Sequence, residues 1–595
     1  MDFDKREDVN KEYTWNLTTR YKTDKAWEKE YDVLRKDVQI MKKYQGKLLK
    51  KPEILKEALD TYYDYETKIA KLYVYASLKH DEDLKVDKYT MYLTKAYSLY
   101  SEFITSCSFI RPEILSGSKT TLNKILKNEK LTKYRFLLEK TIRLKEHTLT
   151  KSEEEIVNKL TNNSNVFDKL NSILIDSTLN YGTIKVDGKE VTITNSNYRN
   201  IMTNKNRKVR KECYNLMGDK LKEYTSIFGE TLVANMKLYS SLADIYHYQS
   251  TLDMELFDSN IPKEVVDNLY SVVHKRLNVF QKYLIMLRSN LGLDKLEYYD
   301  LQTDFLNNDL TFSIENAEDL IKEATKIYGE KYHKVIEKAF KERWIDYASY
   351  KGKRSGAYAT SNYGSTPVVL TNFHGKFTDV SAVAHELGHA VNFYLSEEAN
   401  EAHNYENDIF VAEVASLTNE IILSNYIINH TNNKNYKLLA IYNLIDIIQN
   451  NLFDACLEGE LENKMYALID QKEEIDANVL SECILSLRKQ YYGKTVELDD
   501  KVKYMWARRS HYYNPFYLYQ YATGVSAAIY IALRIINDQD NMKEKYIDFL
   551  SKGDTDYPIN LLKNIGVDMT KPEVINNAIN YFEYLIDEFN KVSEE

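Results

Sequence analysis

Residues 385–389 read His385-Glu386-Leu387-Gly388-His389, two histidines four apart with a carboxylate between them. On an α-helix, positions i and i+4 stand one above the other on the same face. Two imidazoles so placed can share one tetrahedral Zn²⁺, and the intervening Glu lies beside the open coordination position where water would sit. The chain holds only 11 His among 595 residues, so chance would supply about 0.02 copies of the pattern. The chemistry implied is hydrolysis by an activated water, with Glu386 as its general base.

A catalytic zinc needs a third protein ligand. One arrangement places a His six residues after the second, with a Gly between, but those positions are Leu395 and Asn392, and it is excluded. The other draws a Glu from a later helix. Ile409 to Glu420 is a mostly apolar helical run that Glu413 interrupts, and a carboxylate in such surroundings calls for a cation. Glu413 is therefore the expected third ligand. Its rivals are Glu397, Glu398, Glu401, Glu406 and His403, in a polar loop where solvation alone accounts for them. Glu420, two turns beyond Glu413, is expected to accept a hydrogen bond from a zinc-bound imidazole.

Attack on a carbonyl leaves an oxyanion, and a second donor to it is worth about 3 kcal/mol in the transition state. Tyr504 to Tyr521 contains six Tyr and His511 in 18 residues, a supply of hydroxyl and imidazole donors. An aromatic layer between helices would have the same composition. With 50 Tyr in the chain, no single tyrosine pair is strong evidence.

The elements around these residues are mainly helical. The chain has only 7 Pro and 18 Gly, and helical periodicity is expected over Ala26–Lys43, Glu53–His80, Lys88–Phe109 and Glu264–Leu291. Thr183 to Ile193 alternates about Asp187-Gly188 and predicts a β-hairpin. It suggests a division into an N-terminal helical lobe, residues 1–200, and a catalytic region, residues 201–595. Gly352, Gly356, Gly364 and Gly375 precede the histidine motif, and between them Ala357–Thr360 and Pro367–Phe373 read as strands. The motif helix is expected to start near Asp379 or Ser381.

Composition narrows the setting. Net charge is −9, which argues against nucleic acid or an anionic membrane as partner. The four cysteines, Cys107, Cys213, Cys456 and Cys483, are far apart, which suits a reducing compartment and argues against a disulfide framework and a Cys-ligated metal. The charged N-terminus lacks the apolar core of a signal peptide, and no apolar run is long enough to span a bilayer. A cytoplasmic location is expected.

Together these motifs resemble oligoendopeptidase F, in the zinc peptidase family that includes thimet oligopeptidase. The resemblance runs through Tyr13-Thr14-Trp15-Asn16-Leu17, Asn260 to Val265, Gly352 to Tyr358, the histidine motif, Phe410 to Glu420 and His511 to Gly524. It implies a mainly α, large two-lobed body with a deep central channel and a small β-sheet next to the active-site helix, binding one Zn²⁺ per chain and cleaving short peptides. By motif match, His385, His389 and Glu413 would be the zinc ligands and Glu386 the general base and acid. His511, Tyr517 and Tyr521 would line the oxyanion side, with Tyr517 the first choice as carbonyl donor. Pro515 leaves the register open by one residue, so Tyr513 and Tyr519 stay in contention. The strand Val368–Phe373 would pair with the peptide backbone, making Val369, Leu370 and Asn372 substrate-binding residues, with Gly356 permitting close approach. Many relatives carry a further His where this chain has Asn392, a position that is not a ligand in the family pattern.

The competing readings are a carboxypeptidase or dipeptidase on the same scaffold, and a non-catalytic peptide-binding protein. The presence of Glu386 weighs against the last, since binding alone needs no general base. Short peptides are the expected partners, with no nucleic acid and no membrane; monomer and homo-oligomer are both open.

Overall fold

Helix starts coincide with the sequence punctuation. The Thr23 hydroxyl accepts the Ala26 N–H and caps the helix Asp24–Lys36. Pro52 opens the 31-residue helix Pro52–Glu82, where its missing N–H costs nothing, and Asp87–Cys107 comes next. A computed structural model describes residues 2–161, 164–306 and 310–595, and 71% of it is helical. Two expected helices are shorter than their patterns. The first ends at Lys36, and Ile40–Tyr44 continues as a tighter 3₁₀ turn. The run from Glu264 to Leu291 is two helices, Lys263–Lys275 and Leu277–Asn290. Between them Arg276 leaves helical geometry at φ −119° and ψ 17°, and its guanidinium bonds Asn580 at 2.8 Å and Glu583 at 3.2 Å.

The strands, in chain order, are β1 (Asp2–Phe3), β2 (Thr183–Val186), β3 (Lys189–Thr192), β4 (Leu296–Glu297), β5 (Ile345–Tyr350), β6 (Tyr358–Thr360), β7 (Val368–Phe373) and β8 (Val496–Glu497). β2 and β3 form the expected hairpin, with Asp187 and Gly188 both at positive φ, as a two-residue type I′ turn requires.

The chain divides into two compact units. The first comprises Met1–Thr148, Leu310–His430 and Ala528–Val567; the second comprises Leu149–Asp309, Thr431–Ala527 and Asp568–Glu595. Each is assembled from three segments, so neither coincides with residues 1–200 or 201–595, and the β2–β3 hairpin lies within a segment of the second unit.

In the first unit, Trp27, Leu55, Leu72, Tyr92, Phe103 and Tyr134 of the N-terminal region form one apolar cluster, which Val368 and Leu370 of β7 complete. The sheet order is β1-β5-β7-β6, parallel except where β6 runs antiparallel to β7. β5 is a strand that the sequence pattern does not announce, because a carboxylate interrupts it. Asp346 is buried, and it is accommodated by Lys353 Nζ at 2.7 Å and Arg6 at 2.7 Å. Lys353 Nζ also donates to the carbonyls of Ala348 and Thr371, tying β5 to β7. Among the described residues no helix is long and apolar enough to cross a membrane.

Candidate active site

The histidine motif lies on α1 (Phe377–Ala399), which leads directly from β7. The helix begins earlier than expected, with Lys376 at its N-cap and Asp379 three residues on, accepting the N–H groups of His374 and Lys376. Ser381 is not the cap. Its hydroxyl donates instead to Glu420 Oε2 at 2.5 Å.

α2 (Ile409–His430) packs against α1, and Gly388 sets how closely. A Cβ at residue 388 would lie 2.7 Å from both the Ala415 carbonyl oxygen and Ser416 Cα. Asn419 adds a link, donating to the Ala384 carbonyl at 3.0 Å while accepting the Tyr332 hydroxyl at 2.7 Å.

This approach brings Glu413 opposite the two histidines. Its Oε2 is 3.3 Å from His385 Nε2 and 3.7 Å from His389 Nε2. One ligand atom from each of His385, His389 and Glu413 lies within 4.8 Å of the others, and among the described residues this is the only group of three such side chains with metal-holding geometry. On its far side, His385 presents Nδ1 to Glu420 Oε1 at 2.7 Å, which turns Nε2 towards Glu413. The Ser416 hydroxyl donates to Glu413 Oε2 at 3.0 Å.

The charges suit a cation. Burial works against ionising Glu413, but the hydrogen bond from His385 and the two imidazoles hold its carboxyl down to about 2. Burial, aided by His385, lowers His389 to about 4, so it stands neutral with a lone pair to offer. Burial also disfavours a charged His385, yet its hydrogen bonds to Glu413 and Glu420 carry it well above the ordinary histidine range. Two carboxylates thus draw positive charge to this point. The donors, two imidazole nitrogens and one carboxylate oxygen, fit a metal ion. Glu386 is buried, and that burial, reinforced by Glu413 against the pull of His385, pushes its carboxyl up to about 7. The backbone N–H of Ala359 in β6 favours the charged form and so works against that rise.

Two of the rival ligands have other employment. His403 bonds the Lys133 carbonyl at 2.7 Å, and Glu401 pairs with Lys133 at 2.8 Å. Asn392 donates to the Leu550 carbonyl and accepts from Asn407, a structural link.

The expected peptide-pairing strand requires correction. Over Val368–Leu370, β7 is hydrogen-bonded on both sides, by β5 and β6, so this half of the strand has no edge to offer. Val369 and Leu370 are fully buried and cannot touch a substrate. Asn372 donates to the carbonyls of Arg354 and Gly356, so it braces the loop that carries Gly356, itself at φ +88°. The strand that ends the sheet beside Glu386 is β6.

His511, Tyr517 and Tyr521 form their own aromatic group in the second unit. Ring centroids are 5.9 Å apart for His511–Tyr517, 6.0 Å for His511–Tyr521 and 5.3 Å for Tyr517–Tyr521. Tyr513 is occupied by the Thr231 hydroxyl at 3.0 Å, and Tyr519 is buried. Sequence reasoning took Ser381 only as a possible helix cap, and it missed Asn419 and Ala359. Ser381 sits one turn before His385 on the motif face, a spacing that could have flagged it; Ala359 had no signal.

Paired histidines with an acidic partner from the next helix, in a mainly helical body beside a small sheet, define a metallopeptidase. Residues 200–581 match the model of peptidase family M3, and residues 113–181 match that of oligopeptidase F. The chain belongs to peptidase family M3. It is 33% identical to group B oligopeptidase PepB of Streptococcus agalactiae, covering 98% of this chain and 97% of that protein. It is 32% identical to oligopeptidase PepF of Bacillus subtilis, covering 99% and 88%. The solved structure of oligoendopeptidase-F from Enterococcus faecium superposes with a TM-score of 0.74 at 25% identity, covering 96% of this chain and 99% of that one.

Proposed function

We propose that this chain is a zinc endopeptidase that cuts internal bonds of short peptides. The observation that carries the reading is the convergence of His385, His389 and Glu413 within 4.8 Å, on the helix pair that also presents Glu386. These three residues would hold zinc, whose preference for nitrogen and carboxylate oxygen they match. Bound there, zinc would supply a Lewis acid for the scissile carbonyl.

The remaining steps belong to the chain's own residues. Glu386, with its carboxyl held near neutral pH, takes the proton of the attacking water and returns it to the leaving amine. Glu420 and Ser381 keep His385 oriented. β6, the last strand of the sheet among the described residues, takes the extended peptide backbone as an added strand, which reads length and backbone rather than side chains. Tyr517, with Tyr521 and His511, is assigned the oxyanion, a role that rests on the family resemblance. The preference for short substrates is supported by the relatives called oligopeptidases.

The test is cleavage of a terminally blocked peptide of about ten residues, with products read by mass spectrometry. Internal cuts that disappear with a chelator and in Glu386→Gln are expected. Cutting only after the ends are unblocked would replace the reading with a carboxypeptidase or dipeptidase. No cutting by metal-replete protein would leave a peptide-binding protein.

A further inference from the structure

Tyr517 comes directly after a backbone position that is costly for its residue type. Phe516 has φ +51°, in the left-handed region that bulky residues seldom occupy. Two contacts hold it there. Its ring is buried against Tyr466, with centroids 4.9 Å apart. Its N–H donates to Glu462 Oε1 at 2.8 Å, and Glu462, on the helix Ala455–Asp470, is only 1% exposed. One amide N–H is little compensation for a buried charge, and burial pushes the Glu462 carboxyl well above its usual range. It therefore serves as a neutral acceptor.

The chain just beyond Phe516 makes this hydrogen bond matter. Tyr517 directly precedes the helix Leu518–Ile536. The Gln520 side chain donates to the Phe516 carbonyl at 3.3 Å, and its N–H donates to the Tyr517 carbonyl at 3.3 Å. With both carbonyls engaged by the helix start, the left-handed turn at Phe516 sets the direction in which the chain enters it. The same turn sets how the Tyr517 side chain leaves the backbone. A right-handed Phe516 would swing Tyr517 away from His511 and Tyr521.

We propose that Glu462 is a positioning residue: by accepting the Phe516 N–H it locks the left-handed turn that aims Tyr517. The inference rests on the reading of Tyr517 as carbonyl donor, and it adds a role for a buried carboxylate outside the metal group.

The experiment compares Glu462→Met, Glu462→Gln, Tyr517→Phe and the double variant Glu462→Met/Tyr517→Phe on an internally quenched, terminally blocked peptide with the zinc-loaded full chain. Glu462→Met, which keeps the bulk and loses the acceptor, is expected to lower kcat by about ten- to a hundredfold, the usual result of a small misplacement. KM should stay within about threefold. Glu462→Gln, which keeps a neutral acceptor, is expected to recover most of kcat. The double variant is expected to be no slower than Tyr517→Phe alone, because both changes act on one group. An unchanged kcat in Glu462→Met, or a double variant slower by the product of the two effects, would overturn the proposal. Wild-type kcat in Tyr517→Phe would instead remove the donor assignment, and this inference with it. Should Glu462→Met fail to fold by circular dichroism, Glu462→Asp, which retracts the acceptor by one methylene, takes its place with the same expectations.

Discussion

Glu420 Oε1 lies 2.7 Å from Nδ1 of His385, while the other oxygen of the same carboxylate accepts the Ser381 hydroxyl at 2.5 Å. Glu420 thus decides which imidazole nitrogen faces Glu413, from a position two turns along the helix that carries Glu413 itself. The His385 imidazole on α1 is oriented by a residue on α2, so the candidate metal site depends on how the two helices pack.

Replacing Glu420 by Ala should therefore weaken metal binding rather than abolish it. A loss of about 10- to 100-fold in affinity is expected for a partner that fixes a ligand's tautomer. Chelator competition against wild type measures it, with apo-protein melting as a control for general damage. Equal affinities would mean that His385 is held by its own rotamer.

Glu386→Gln separates holding the metal from using it. The amide keeps the shape but cannot take a proton, so kcat should fall by at least about 10²-fold. Bound zinc, measured by elemental analysis after gel filtration, should stay at the wild-type ratio. Metal loss in this variant would make Glu386 part of the binding site.

Gly388→Ala tests the helix approach. In an exposed helix interior this change stabilises by about 1 kcal/mol. Here the new methyl would meet the Ala415 carbonyl and Ser416 Cα at 2.7 Å, backbone atoms that cannot rotate away. Overpacking of about 1–3 kcal/mol should win. A lower Tm of the apo-protein and weaker zinc affinity are expected together; a raised Tm would show that α1 and α2 have room to separate.

Removing the metal should lower the melting temperature. A ligand bound only by the folded state contributes about 4 kcal/mol at a thousandfold excess over its dissociation constant. Calorimetry before and after chelation, with zinc restored at the end, reads the shift. Protons should compete already at neutral pH, because His385 in the metal-free chain keeps its proton well above the ordinary histidine range, so zinc affinity should rise with pH there.

A pH dependence of stability should come from Glu66, away from the metal group. Burial, helped by the nearby charge of Glu406, pushes its carboxyl from 4.5 to about 7 in the folded chain. A carboxyl raised on folding resists ionisation, so its contribution is intact below 4.5 and is lost as pH rises through 7. Glu66→Gln should leave Tm unchanged at pH 4.5 and raise it relative to wild type at pH 8. A difference that does not vary with pH would exclude this group as the source.

Much of the candidate metal site was legible because its logic is local. His385, Glu386 and His389 share one helical turn, and Glu413 stands out as a carboxylate in an apolar run. Glu420 was readable from its spacing after Glu413. The hairpin at Asp187-Gly188 was equally local, since a positive-φ pair is a property of the turn itself. The break at Arg276 was not, because no Gly or Pro marks it and its guanidinium partners lie some three hundred residues further on. The edge of the sheet was missed for a related reason. β5 carries a buried Asp346 that only Arg6 and Lys353 make tolerable, so its residues do not read as a strand. Without β5, β7 looks like an edge.

By itself the sequence determined that this protein is mainly helical, sets two His and a Glu within one helical turn and places a lone carboxylate in the apolar helix that follows. Those properties depend on spacing within single elements, where backbone geometry converts sequence separation into direction. Only the tertiary structure decided that Gly388 sets the gap between α1 and α2, that Ser381 and Glu420 together orient His385, that β6 and not β7 ends the sheet, and that Glu462 meets Phe516. Each of these is an encounter between segments distant in the chain. Such encounters are selected by the packing of whole faces and the pairing of buried charges, which no local pattern records.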